Sequence, residues 1–173
     1  MLPENYPSDY IEEVTLKDGS KVLLRPIRPD DAPRLQHAFL HLSPQSIYLR
    51  FLESTRELTD AQAYAFANLD YQERMAFVGC IQEDGEEHIV VSARYAMVGP
   101  QEPGTVEAAI VVRDDYQGRG LGLVTLDHLV NYAVKHGVTT LLATVHTSNA
   151  RIMNFFKLSG LQFDRKMLEP GTW

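Results

Sequence analysis

Apolar and polar positions along the 173-residue chain change period several times, and each change predicts an element. Ile11–Leu16 and Lys21–Arg25 read as strands on either side of Lys17-Asp18-Gly19-Ser20, and Asp-Gly between two such runs is a strong hairpin signal. Pro26 and Pro29 end the second strand. Asp30 or Asp31 is then placed to cap a helix running to about Leu42, in which Ala32, Leu35, Ala38, Phe39 and Leu42 form an apolar stripe. Ser43-Pro44 predicts a second helix toward Leu52, with proline at a favourable first position, and Thr59 caps a third containing Ala63, Phe66, Ala67 and Leu69. Met75–Glu83 and His88–Val98 return to strand-like runs, joined by a second hairpin turn at Asp84-Gly85. Val106, Ala108, Ile110 and Val112 alternate with Glu107, Ala109 and Val111, a β-branched pattern that predicts a strand buried on both faces. Leu126, Leu129, Val130 and Ala133 then recur at helical spacing until Gly137. Thr139–His146 and Leu161–Met167 are the remaining strand candidates, the latter followed by a turn at Glu169-Pro170-Gly171-Thr172.

The order is strands, helices, antiparallel strands, then strand–helix–strand–helix. It predicts an α/β (α+β) fold around a mixed, mostly antiparallel twisted sheet flanked by helices. A single domain over residues 10–173, with residues 1–9 as a flexible lead-in, accounts for the chain; there is no repeat, low-complexity tract or internal linker. A hydrophobic content of 45% and a charged content of 23% are ordinary for a globular protein. The formal net charge of −7 argues against nucleic acid as the main partner; it would suit a cationic acceptor, although acidity for solubility alone is common. The one cysteine, Cys80, has no partner for an internal disulfide and lies in an apolar run, which fits a core thiol in a cytoplasmic protein. No signal peptide or membrane-length apolar run is visible, and the six histidines lack ligand spacing, so no metal site is expected. His128 and His136 are expected to face solvent.

Between the Val106–Val112 strand and the following helix stand Gly118, Gly120 and Gly122. At a helix start the first backbone N–H groups lack intrahelical partners, the dipole favours negative charge, and glycine lets a bulky anion approach. Gln117 to Gly122, with Arg119 and Leu121 between the glycines, is therefore a candidate pyrophosphate cradle, with Arg119 and Arg113 as added charge. A phosphate-binding Walker loop is excluded, because no Gly-Lys-Ser/Thr follows, and the spacing is not that of a dinucleotide fold.

Gln117-x-x-Gly120-x-Gly122, after a strand and opening a helix, resembles the coenzyme A loop of the GNAT superfamily of N-acetyltransferases. Downstream, Asn149, Phe156, Gly160 and Leu161 resemble the family's Asn…Tyr…Gly-Phe signature; upstream, Leu24–Ala32 and Ser43–Leu52 resemble the acetyltransferase domain of bacterial protein-lysine acetyltransferases. The resemblance implies acetyl-CoA as cosubstrate without a metal, and an amine acceptor such as a protein lysine. It places the pantetheine arm along Ile110, Val111 and Val112, with the Val112 N–H toward the thioester carbonyl, and Asn149 and Phe156 beside the coenzyme. Asn149 reads equally as a helix cap. Phe156 stands where many members carry a tyrosine that protonates the leaving thiolate, and phenylalanine cannot. The family continues with a further strand where this chain stops at Trp173, so the final strand is apparently missing. Truncation, pairing by a partner, or an exposed sheet edge that could support a homodimer would each account for it.

Neutralising a lysine ammonium at pH 7 costs roughly 4.6 kcal/mol, so a base is needed in the acceptor cleft. Glu107 is the one carboxylate inside the otherwise apolar strand, where burial would raise its pKa toward a useful range. Protein-lysine acetyltransferases use a glutamate as base, which the resemblance carries to Glu107; an ion pair with Arg94 is the structural alternative. A small-amine acetyltransferase and a non-catalytic acyl-CoA-sensing module are the competing functional readings.

Overall fold

A computed structural model describes residues 2–53 and 55–173. Six strands form one sheet in the order β1 (Glu12–Thr15), β2 (Lys21–Pro26), β3 (Arg74–Glu83), β4 (Glu86–Met97), β5 (Thr105–Val112) and β6 (Thr140–Leu142). The first five run antiparallel as a meander, and β6 joins β5 in parallel. Both Asp-Gly hairpins form: Gly19, Asp84 and Gly85 take the positive φ that such tight turns need.

Helix α4 (Leu121–Lys135) packs against β3, β4 and β5, with Phe77 of β3 meeting Tyr132 edge to face. Helices α1 (Ala32–Leu40), α2 (Pro44–Phe51) and α3 (Asp60–Ala67) contact the sheet through α1 on β4 and α2 on β5. Ser43 caps α2 and Thr59 caps α3, as expected. Asp31 does not cap α1. Its carboxylate is fully buried and makes a two-pronged pair with Arg25 of β2 at 2.7 and 2.8 Å. It also accepts from the Arg28 N–H at 2.8 Å and from Arg34 at 3.1 Å. Glu87 of β4 completes the cluster at 2.6 Å from Arg25.

Several expectations change. Within residues 2–9 Tyr6 is buried and donates its hydroxyl to the Pro26 carbonyl at 2.8 Å, so this part of the lead-in is docked on the domain; Met1 lies outside the described residues. His128 is half-buried, its Nε2 being 3.0 Å from Glu12, whereas His136 is exposed as expected, one ring face stacked on Tyr132. Cys80 is a packed core thiol, as expected, and burial pushes its pKa up to about 12. Leu161–Met167 forms no strand, and β6 ends at Leu142 rather than His146. Beyond β6, Val145 instead exchanges two backbone hydrogen bonds with Trp173 (3.1 and 2.9 Å), and the Thr147 N–H donates to Gly171. Gly171–Trp173 thus pair back beside Val145–Thr147, where the final strand was expected to be missing.

The buried pair predicts an acid-sensitive fold. Burial alone would raise the Asp31 pKa, but the bonds and charge of Arg25 hold it below the ordinary carboxylate value. Its contribution is complete above the unfolded pKa of about 3.9 and is lost as pH falls through the lower folded value. Asp31→Asn should cost roughly 3–5 kcal/mol at pH 7, by leaving Arg25 short of its partner, and should flatten the acid limb of the stability profile. Urea unfolding from pH 7 to pH 3 measures both; equal losses at the two ends would remove Asp31 from this role.

Candidate active site

β5 pairs with β6 only from Thr105 to Glu107, opposite Thr140 to Leu142. Past that point the neighbouring chain turns to Gly171–Trp173 for partners, and β5 continues alone on that side. The Arg113 N–H donates to Val90 of β4 at 2.8 Å. Strand N–H groups alternate in direction, so those of Ile110 and Val112 point to the opposite side, into the fork between β5 and β6. An extended chain laid there could pair with β5 as a strand would.

The glycine loop closes the far end of the fork. Gly118 and Gly120 have φ of 77° and 87°, and a Cβ on either would meet nothing within 4 Å. Gly120 N-caps α4 with no side-chain cap bond. Among the described residues nothing accepts from the backbone N–H groups of Gly118, Arg119, Gly120, Leu121 or Gly122. Five consecutive donors at a helix start, with open space at Gly118 and Gly120, fit a phosphate group. The Gln117 N–H is not among them: it donates to Asp114, while the Gln117 side chain donates to the Val112 carbonyl at 3.0 Å and accepts from Arg151. Gly122 serves packing instead, since a Cβ there would stand 3.3 Å from Phe155 and 3.4 Å from Val112.

The cations near the loop divide into bound and available. Arg113 is nearly buried and held by Asp115 at 2.7 Å and Glu83 at 3.2 Å, so it braces the loop and is not a free phosphate ligand. Arg119 lies over the Tyr116 ring and 3.1 Å from Asp18, half-exposed. Arg151, at the start of α5 (Ala150–Leu158), sits beside the loop through Gln117; nothing local in the sequence marked it. Asn149 caps α5, accepting from the Ile152 N–H at 3.1 Å. Phe156 packs with Phe155 and Phe163, while Phe155 is the ring that reaches Gly122.

Glu107 lies on the sheet face shared by Val111 of β5 and by Ser92 and Arg94 of β4. Its side chain is exposed, not buried. It forms no ion pair with Arg94, because the register sets Glu107 opposite Ala96 and Arg94 opposite Ala109. The carboxylate touches Thr144 at 3.4 Å and acts at longer range on Arg50 of α2. Asp114 fixes α2 above β5 by accepting from the Ser43 N–H, the Ser43 hydroxyl and the Ser46 hydroxyl at 2.8–3.0 Å. From the same helix the Tyr48 ring meets His146 beyond β6, at 5.5 Å between centroids. The site therefore joins an anion cradle, an open strand edge and a water-accessible carboxylate.

Comparison with known proteins agrees with this geometry. The family model described as the acetyltransferase (GNAT) domain matches residues 21–162. A Pseudomonas aeruginosa acetyltransferase is 37% identical over 135 residues, covering 78% of this chain and 72% of the relative. An L-methionine sulfoximine/L-methionine sulfone acetyltransferase of the same species is 27% identical over 121 residues, 69% of this chain and 68% of the relative. The crystal structure of the GNAT domain of S. lividans PAT superposes with a TM-score of 0.88 at 28% identity, covering 97% and 96% of the two chains.

The free donors predict that Gly120→Glu abolishes acetyl-CoA binding in calorimetry, and that Gly118→Asp weakens it less. A non-glycine residue in this left-handed conformation costs about 1–2 kcal/mol of stability, too little to unfold the domain. Parental affinity in a folded Gly120→Glu protein would take the loop out of the site.

Proposed function

Since the chain belongs to the GNAT acetyltransferase family, an N-acetyltransferase group that uses acetyl-CoA, we propose that it transfers acetyl to a primary amine by direct attack, with Glu107 as general base. The observation that carries this reading is the fork: β5 offers unpaired N–H groups at Ile110 and Val112, between the five free donors of the loop and the Glu107 carboxylate. The loop would hold the pyrophosphate and β5 the pantetheine arm. The Val112 N–H, beside the loop, would bind the arm, and the Ile110 N–H, nearer Glu107 along the strand, would polarise the thioester carbonyl. The amine loses a proton through Glu107, directly or by one water, and its nitrogen attacks the carbonyl carbon. The C–S bond then breaks, coenzyme A leaves as thiolate, and a proton from the amine side or from water neutralises it.

For the acceptor, the likeness to the PAT domain supports a lysine side chain of a protein. The two arginines of the α1–α3 side, Arg50 and Arg94, favour a second reading, a small amine bearing a carboxylate, which accords with the substrates in the name of the methionine sulfone relative. A sensing module without turnover has less support, because Glu107 stands open to the acceptor side. Incubation with acetyl-CoA, lysine-containing proteins and an amine panel, followed by thiol release, tests transfer itself.

Glu107→Gln keeps size and hydrogen-bonding reach but removes the base. The acetyl-CoA dissociation constant should stay the same while the rate at pH 7 falls by about 10²- to 10⁴-fold. The deficit should shrink as pH rises toward the pKa of the amine, where neutral acceptor becomes plentiful. A binding isotherm and a rate–pH profile check both parts; parental turnover at pH 7 would end the assignment.

A further inference from the structure

Between α1–α3 and the face of β4 and β5 lies a cavity of about 60 Å³, walled by Leu35, Phe39 and Phe66 and also lined by Arg50, Ser92 and Arg94. The three polar residues are poorly served. Arg94 rests on the Phe66 ring at 4.5 Å and has one weak bond, to the Phe66 carbonyl at 3.4 Å. Arg50 lies over Phe51 at 4.8 Å, and among the described residues no carboxylate comes within 4 Å of either guanidinium. The Ser92 hydroxyl, in a residue 7% exposed, has no hydrogen-bond partner among the described residues. Burial pushes both guanidinium pKa values down, that of Arg94 to about 9 with Arg50 adding repulsion. A buried hydroxyl without a partner, beside two half-buried guanidiniums that no carboxylate neutralises, is a polar set that an anionic ligand would complete.

We propose that this cavity is a carboxylate subsite: Arg50, Arg94 and Ser92 bind an aliphatic carboxylate tethered to the reacting molecule. The volume equals about four water-sized probes, room for a carboxylate and one or two methylenes. Glu107 stands on the same sheet face, diagonal to Arg94 across β4 and β5 and near enough to act on Arg50. Opposite charges at the two ends suit a molecule with an ammonium at one end and a carboxylate at the other. The inference rests on the acetyl-transfer reading and names its acceptor class, an amino acid with a free carboxylate. The same chemistry could enter on the acyl side, as the terminal carboxylate of a dicarboxylic acyl-CoA.

Direct binding and turnover separate these cases. Butyrate, without coenzyme, should raise the melting temperature and bind about 10- to 100-fold more tightly than butyramide, the range for hydrogen bonds to charged groups. Arg94→Met and Arg50→Met should erase that preference without loss of stability, whereas arginines serving only the fold would lose stability on removal. In turnover with acetyl-CoA, free amino acids should exceed their amides by a similar factor, and Arg94→Met should equalise them. If the preference appears instead for succinyl-CoA over butyryl-CoA, the subsite stands and serves the acyl group. Butyrate binding that depends on Arg94, with no thiol release from any amine, keeps the subsite and overturns the transfer reading. No butyrate binding, with amides or lysyl peptides turned over as well as free amino acids, overturns the subsite and leaves acetyl transfer in place.

Discussion

The buried pair of Arg25 and Asp31 is the constraint on which the arrangement of the site depends. Neither side chain has exposed surface, so the desolvation of both charges must be met by contacts made inside the protein. The two-pronged geometry, the Arg28 N–H, Arg34 and Glu87 supply them, and each contact comes from a different piece of chain. β2, the turn before α1, α1 itself and β4 are thereby held at one point. That point fixes where α1 begins, and α1 walls the cavity above β4. The contrast with Arg94 is physical: both arginines lie against the same sheet, yet the terminal nitrogens of the first are held by two carboxylates and the second meets one distant carbonyl. One is a fastening, and the other is left with capacity for a ligand.

The second constraint is a pairing that ends early. β5 and β6 share three residue pairs, and then the strand edges would compete for each other. The chain's last residues resolve the competition by occupying Val145–Thr147, so that Ile110 and Val112 keep unpaired N–H groups in the fork. An open strand edge usually invites aggregation. Here the edge is short, flanked by α2 and α5, and continuous with a helix start that attracts anions, so a ligand of mixed character fits it better than another strand. Asp114 joins the two sides, because the turn that follows β5 also carries the cap region of α2. A shift of the fork would therefore move Tyr48 and Arg50 with it.

Local signals were the legible ones. The hairpins at Asp18-Gly19 and Asp84-Gly85, the caps at Ser43 and Thr59, and the glycine loop before α4 are each decided by a few adjacent residues, and the sequence reading of them matches the structure. Readings that depended on distant partners failed. Asp31 looked like a cap because a cap needs only its own helix, whereas its partner Arg25 lies on another element. Leu161–Met167 alternates like a strand but pairs with no strand, and Leu161, Phe163 and Met167 stay exposed. Glu107 was expected to be buried because its strand is apolar, but on β4 it faces only the small Ala96 and its side chain stays exposed. Phe155 was passed over for Phe156, since one step along a helix changes the face by about 100° and only packing shows which face meets Gly122. Arg50 and Ser92 carry no motif, and their common cavity exists only once three helices are laid over two strands.

The absence of a phenol at Phe156 is consistent with a single acid–base group. Two proton transfers are needed, and their difficulty is unequal. Removing a proton from an alkyl ammonium at pH 7 is uphill by more than three pKa units, so it needs a positioned carboxylate. Protonating a thiolate with an intrinsic pKa near 8.5 is downhill at pH 7, and water or the departing ammonium can do it. The site's layout follows that inequality. Glu107 stands where solvent can carry its proton away, while the α5 side of the fork offers Phe155 and Phe156, rings that pack but cannot donate. In the proposed reaction an apolar wall there would leave the chemistry to one base, and discrimination among acceptors to the groups that hold the rest of the molecule. In the proposed subsite those would be the guanidiniums of Arg50 and Arg94, which no carboxylate of the described residues neutralises and which an anion arriving with the amine would pair.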